Sequence, residues 1–165
     1  MLKAALGAVH KSDVGGVVVG IEDDRALVAA WAELAARLAP SGCIVEHMVR
    51  ADASAELIVG CKRDPRFGPV LLVGFGGVFA ELLDDVAVTF APATAERVSV
   101  LLLELRGAAL LTGARGRPPH AIGAAAEAAA ALSRVAAAHP ELEAIEINPL
   151  LVTEKAAIGL DARAV

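Results

Sequence analysis

The sequence predicts an α+β fold in which an antiparallel sheet is flanked by helices. Two observations carry that expectation. Short β-like runs are grouped rather than strictly alternating with helices, and separate segments repeat apolar residues at helical spacing. The 165 residues fit one compact domain, long enough to bury about two-thirds of the surface an unfolded chain exposes.

The elements follow in order. Residues 17–21 (VVVGI), after Gly15-Gly16, read as a strand. Glu22-Asp23-Asp24 then opens a helix on which Leu27, Ala30, Trp31, Leu34 and Leu38 share one face, stopped by Pro40-Ser41-Gly42. Residues 43–50, 55–63 and 69–74 are three closely spaced strand candidates, the last two joined by a DPRFGP turn; together they suggest an antiparallel meander. A helix is expected over 94–111 from Thr94, and an Ala-rich one over 119–138 after Pro118, with Pro119 suited to a first turn. The last 25 residues read as a hairpin or pair of strands.

Composition excludes several classes of function. Mean hydropathy is high at +0.60, yet the longest uncharged apolar stretch, Phe67 to Ala80, is too short to span a bilayer and is broken by glycines and a proline, so no membrane partner is expected. The opening MLKAALGAV runs into His-Lys-Ser-Asp rather than a cleavage site, and no export is expected. Cys43 and Cys61 lack metal-ligand spacing and sit in apolar runs, which suggests free buried thiols in a cytoplasmic protein. A net charge of −5 argues against nucleic acid as a partner. A small ligand is expected instead.

Four stretches could carry chemistry. A C-terminal hairpin turning between Glu154 and Lys155 sets Asn148 opposite Asp161, with Cβ atoms about 5 Å apart. Alternation puts Glu146 beside Asn148, Ile145 and Ile147 on the other face, Arg163 with Asp161, and Leu160 and Ala162 on the buried side. An amide oxygen and one or two carboxylates at one spot suit a hard cation such as Mg²⁺; the same pattern also describes the solvated face of an edge hairpin. In VGFGGVFAELLDD, residues 73–85, a strand enters a Gly-rich turn that lets backbone N–H groups approach an anion, without the spacing or lysine of a Walker loop; a bare turn reads equally well. Arg115-Gly116-Arg117 offers fork-shaped donors to phosphate, or two solvated arginines. In HKSDVGG, His10 stands beside Lys11 and the glycines Gly15 and Gly16, the elements of a phosphoryl-accepting imidazole in a loop where backbone closely approaches a phosphate; a bystander histidine is the alternative.

Taken in order, LKAALGAVHKSDVGGV, CIVEHMV, AELIVGCKRDPRFGPVLLVGFGGVFAEL, GARGRPP and EINPLLV…LDAR resemble the ATP-grasp domain of the NDP-forming acyl-CoA synthetases along nearly the whole chain. The resemblance implies ATP/ADP and Mg²⁺ as ligands and a mostly C-terminal-lobe ATP-grasp fold over 1–165, with much of the N-terminal lobe missing. It makes Lys3 the contact to adenine and α-phosphate and His10 the phosphorylated histidine. Glu46, His47, Met48 and Val49 become the inter-lobe hinge, with the backbone of Glu46 and Val49 bracketing adenine, although His47 stands where the family more often has an acidic residue. Asn148 and Asp161 become Mg²⁺ ligands with Glu146 as neighbour. It further implies CoA-binding and ligase domains on another chain or removed, and exposed edges suggest a homodimer. The rival expectation is a non-catalytic remnant that binds nucleotide or serves assembly.

Overall fold

The computed structural model describes residues 1–5, 14–49, 54–77 and 85–165, which fall into two compact units, Met1–Arg50 and Ala51–Val165. His10 and Lys11, like the helix-like stretch after Gly77, lie outside the described residues.

In the first unit, β1 (Leu2–Ala4) is the middle strand of a three-stranded antiparallel sheet between β2 (Val17–Val18) and β3 (Cys43–Val45). Helix α1 (Asp24–Leu38) covers it. The acidic start works as a cap: Asp23 accepts the N–H of Ala26 at 2.7 Å, satisfying a donor the helix leaves unpaired. Leu34 is buried against Leu2 and Ala4, with Leu27, Ala30, Trp31 and Leu38 around them, so the apolar stripe faces where its spacing indicated.

Two expectations change here. The strand candidate at 43–50 ends at Val45 and pairs with β1, not with 55–63, because Ala4, Lys3 and Leu2 take Cys43, Ile44 and Val45 as partners. Cys43 is therefore exposed on an edge strand rather than buried.

The second unit is built on β4 (Ala55–Asp64), β5 (Gly68–Phe75), β6 (Val86–Phe90), β7 (Ala144–Val152) and β8 (Ala157–Gly159), in the order β6-β5-β4-β7-β8, with β9 (Ala162–Ala164) also on β7. The β4–β5 turn follows its chemistry: Asp64 accepts the N–H groups of Arg66 and Phe67, and Gly68 takes φ +74°. Helices α2 (Ala95–Glu104), α3 (Ala108–Leu111) and α4 (Ile122–Ala138) complete the unit. Val98, Leu101, Leu102 and the alanines of α4 pack on Leu57, Val59, Leu71, Val73, Leu150 and Val152, burying one face of the sheet.

Three departures have physical causes. The helix expected over 94–111 breaks at Leu105, because buried Asp85 takes the N–H groups of Arg106 and Gly107 at 2.9 and 2.7 Å and turns the chain there. The Ala-rich helix starts at Ile122 rather than 119, since His120 N–H donates to Leu111 O and Ala121 N–H to Thr153 O, tying that stretch down outside a helix. Strand β6 was not anticipated. Its outward residues Val86, Val88 and Phe90 are apolar and exposed, so the polar and apolar alternation that marks a half-buried strand is missing.

Candidate functional site: an oxygen-ligand pair and an anchored loop base

Strand β7 carries a bulge. Leu57 faces Leu150 and Val59 faces Ile147, so Asn148 and Pro149 together stand against Ile58. Proline has no N–H for a ladder, and a bulge is where a paired strand accepts it. The bulge also changes phase: Ile145 and Ile147 pack on the core before it, Leu150 and Val152 after it.

Across the hairpin, Leu150, Leu151 and Val152 face Gly159, Ile158 and Ala157, while Ile145, Glu146 and Ile147 face Ala164, Arg163 and Ala162. One register holds throughout, and within it Asn148 N–H donates to Asp161 O at 3.0 Å. Both residues are exposed and Glu146 is half-buried. Asp161 Oδ1 accepts Ala162 N–H at 2.9 Å. Among the described residues its other carboxylate oxygen and the Asn148 amide have no hydrogen-bond partner. The register thus brings the two backbones together, and an amide and a carboxylate are the donor types taken by a cation that binds few protein ligands and keeps its waters. No cluster of three or more His, Cys, Asp or Glu that could hold a metal ion occurs among the described residues. Ala162 is exposed and Leu160 half-buried, where alternation placed both on the buried side; β9 lies at the surface along its whole length.

The first unit frames the segment holding His10. Ala4 N–H donates to Gly16 O at 2.8 Å, so the two ends of that segment are joined at the base. Gly15, at φ +65°, offers its carbonyl to the Arg37 guanidinium, and a Cβ there would stand 3.2 Å from that group. Sequence reasoning missed Arg37, which reads as an ordinary last-turn arginine; its target becomes visible only when the end of α1 returns beside Gly15.

Lys3 Nζ pairs with Glu46 Oε2 at 2.7 Å. Glu46 N–H donates to Met1 O, and the N-terminal ammonium donates to Glu46 O, both at 2.9 Å. These bonds extend the β1–β3 ladder by one residue pair, at the start of the segment whose backbone was expected to bracket adenine. His47 and Met48 are exposed and Val49 is half-buried. Arg115 lies in the 3-10 turn Ala114–Gly116 of the second unit, and Arg117 is exposed just beyond it. In the described part of the Gly-rich turn, Gly76 N–H donates to Glu56 O at 2.8 Å and the Glu56 carboxylate lies against Gly77; the residues that follow, where a helix start was expected, lie outside the described residues.

Residues 3–165 match the family profile described as an ATP-grasp domain. The chain is 37% identical over 162 residues to the β subunit of acetate–CoA ligase [ADP-forming] I of Pyrococcus furiosus, spanning 94% of this chain and 69% of that one. It is 36% identical to acetate–CoA ligase [ADP-forming] I of Archaeoglobus fulgidus but spans only 24% of that longer protein. Among solved structures, an acetyl-coenzyme A synthetase 1 of Ca. Korarchaeum cryptofilum with coenzyme A and Mg-AMPPCP, its phosphohistidine segment pointing towards the nucleotide binding site, superposes with a TM-score of 0.87 at 32% identity, over 99% of this chain and 75% of that one. The chain therefore belongs to the ATP-grasp domain family, in the branch of the ADP-forming acyl-CoA synthetases.

Proposed function

We propose that residues 1–165 are the nucleotide- and Mg²⁺-binding part of an ADP-forming acyl-CoA synthetase, which interconverts acyl-CoA, ADP and phosphate with the acid, CoA and ATP. The observation that carries this is the Asn148–Asp161 pairing, an oxygen-donor pair on a chain that spans 69% of a β subunit of such a ligase. The reading requires the His10 segment of the first unit and this pair of the second to meet the phosphates of one nucleotide.

His10 would then use a ring-nitrogen lone pair to attack the γ-phosphorus. The bond from that phosphorus to the β,γ-bridging oxygen breaks, ADP leaves, and the phosphoryl group stays on the imidazole. When bound, Mg²⁺ neutralises charge on the phosphate oxygens. Lys3 supplies positive potential, and the glycines at 15 and 16 allow close backbone approach. The Glu46–Val49 segment would flank the base, with Arg115 as a further phosphate donor. In the synthesis direction the phosphoryl group passes to the acid as an acyl phosphate, and the CoA thiol displaces phosphate.

That second half-reaction belongs to CoA-binding and ligase domains on another chain or elsewhere in a longer protein. A cytoplasmic setting suits this chemistry, and among the described residues no helix is long and apolar enough to cross a membrane. Self-association as a dimer is part of the same reading and is checked by light scattering.

The test is incubation with Mg²⁺ and ATP radiolabelled at its γ-phosphate, in the presence of the partner domains. Acid-labile, base-stable label on the chain, lost in His10→Asn, is expected. Label that survives His10→Asn overturns the role of His10. Mg·ADP binding in calorimetry without any phosphoenzyme would make the chain a nucleotide-binding or assembly module.

A further inference from the structure

The second unit holds a cleft of about 370 Å³, within the size range of small-molecule sites. Its floor is apolar, with Phe75 and Leu110, and its walls carry Glu56, Arg117 and His120 beside Gly77. Neither the Asn148–Asp161 pair nor any residue of the hinge lines it.

Two features of this cleft are left without a polar partner among the described residues. Glu56 and Arg117 carry opposite charges into the same space without pairing with each other, and among the described residues neither has another charged partner. Both nitrogens of the His120 ring are shielded from water and lack a hydrogen-bond partner. Every imidazole tautomer presents at least one N–H, and leaving such groups buried and unpaired is unfavourable. A half-turn of the ring about Cβ–Cγ exchanges the nitrogens with the two ring carbons and offers them a new set of neighbours.

We propose that this cleft binds a small zwitterion with an apolar body, specifically an α-amino acid with an aliphatic side chain. Its carboxylate meets the Arg117 guanidinium, whose planar fork matches two oxygens, and a rotated His120 donates a further hydrogen bond. Its ammonium meets the Glu56 carboxylate. Its side chain lies on Phe75 and Leu110. One wall cation and one wall anion balance a ligand of zero net charge; a dianionic phosphate, offset only in part by Arg117, would leave excess negative charge facing Glu56. The Glu56 carboxylate against Gly77 likewise occupies the place where an anion would sit at that turn.

The test needs no nucleotide, so its outcome is separate from the phosphoryl-transfer reading. The full chain is titrated with L-leucine, with 4-methylpentanoate, which lacks the ammonium, and with 3-methylbutylamine, which lacks the carboxylate. The NMR signals of the His120 ring are followed, assigned by their loss in His120→Gln. L-leucine should move them saturably, and each analogue should bind at least about tenfold more weakly, the loss expected for one charge-assisted contact. Arg117→Met and Glu56→Gln, both at exposed positions, should each weaken L-leucine by a similar factor while the unfolding midpoint stays put. No saturable shift with L-leucine overturns the proposal, as does an analogue that binds as well as L-leucine or a variant that keeps full affinity.

Discussion

The backbone N–H of Asn148 reaches the carbonyl of Asp161 at 3.0 Å, which sets an amide-bearing residue of one strand directly against a carboxylate-bearing residue of its hairpin partner. If these oxygens hold the cation that accompanies a nucleotide, Asp161→Asn and Asn148→Ala should each weaken Mg·ADP binding at least about tenfold, the scale of one lost charge-assisted contact. Stability should move by less than about 0.5 kcal/mol, because both side chains are exposed. Calorimetry with and without Mg²⁺ checks this. Undiminished Mg²⁺ dependence in Asp161→Asn would remove the residue from the site.

Arg37 closes the base of the His10 segment through Gly15. Replacing it with Met removes a charged donor from that carbonyl, at a cost of about 1–2 kcal/mol to local order. The Ala4 N–H, which donates to Gly16 O across the same base, should then exchange with solvent faster, and phosphorylation should slow while nucleotide affinity holds. Gly15→Ala should have a related effect, because φ +65° is costly for alanine and its Cβ would crowd the guanidinium. Unchanged Ala4 exchange in the Arg37 variant would leave Arg37 a surface residue.

Asp85 is 5% exposed and serves two backbone donors in the turn between α2 and α3. Asp85→Ala strands both N–H groups and should destabilise the second unit by about 2–4 kcal/mol; Asp85→Asn keeps one acceptor oxygen and should cost roughly half as much. Gly107→Ala attacks the same turn from the other side, since its Cβ would come within 2.6 Å of the Phe75 ring, itself buried. Urea unfolding separates the three, and near-equal stability of Asp85→Ala and wild type would refute the capping role.

The C-terminal hairpin was legible in the sequence because two signals agreed: a polar turn at Glu154-Lys155 and alternation on both arms fixed its register before any coordinates. Helix α1 was legible for the same reason, its acidic cap and apolar stripe both being local. The bulge at Asn148-Pro149 and the break at Leu105 were not, since each answers a partner distant in sequence, Ile58 on β4 in one case and Asp85 in the other. The membership of β3 in a separate sheet was hidden likewise, because CIV has strand character with any partner, and only Leu2-Lys3-Ala4 decides which. The Gly-rich turn and the Arg115–Arg117 stretch were each visible as local patterns, but nothing local showed that they meet Glu56 and His120 around one cleft.

The two thiols offer a last test, in which burial decides chemistry. Cys43 is exposed on β3, whereas Cys61 is 3% exposed and its burial raises the thiol from 9.0 to about 11. A thiolate is the reactive form, so at pH 8 a disulfide reagent should consume one thiol quickly and the second only as the second unit unfolds. The sign for stability follows from proton counts. Between the unfolded value of 9.0 and the folded value of about 11, the unfolded chain has lost a proton that the folded chain retains, so stability contributed by the buried thiol is complete below 9.0 and drains away as pH climbs towards 11. Urea midpoints of wild type and Cys61→Ala should therefore diverge less at pH 10.5 than at pH 8, beyond whatever constant difference the lost packing imposes. A gap that stays the same across that range would mean that Cys61 ionises in the folded chain as readily as in the unfolded one, and rapid modification of both thiols at pH 8 would point the same way.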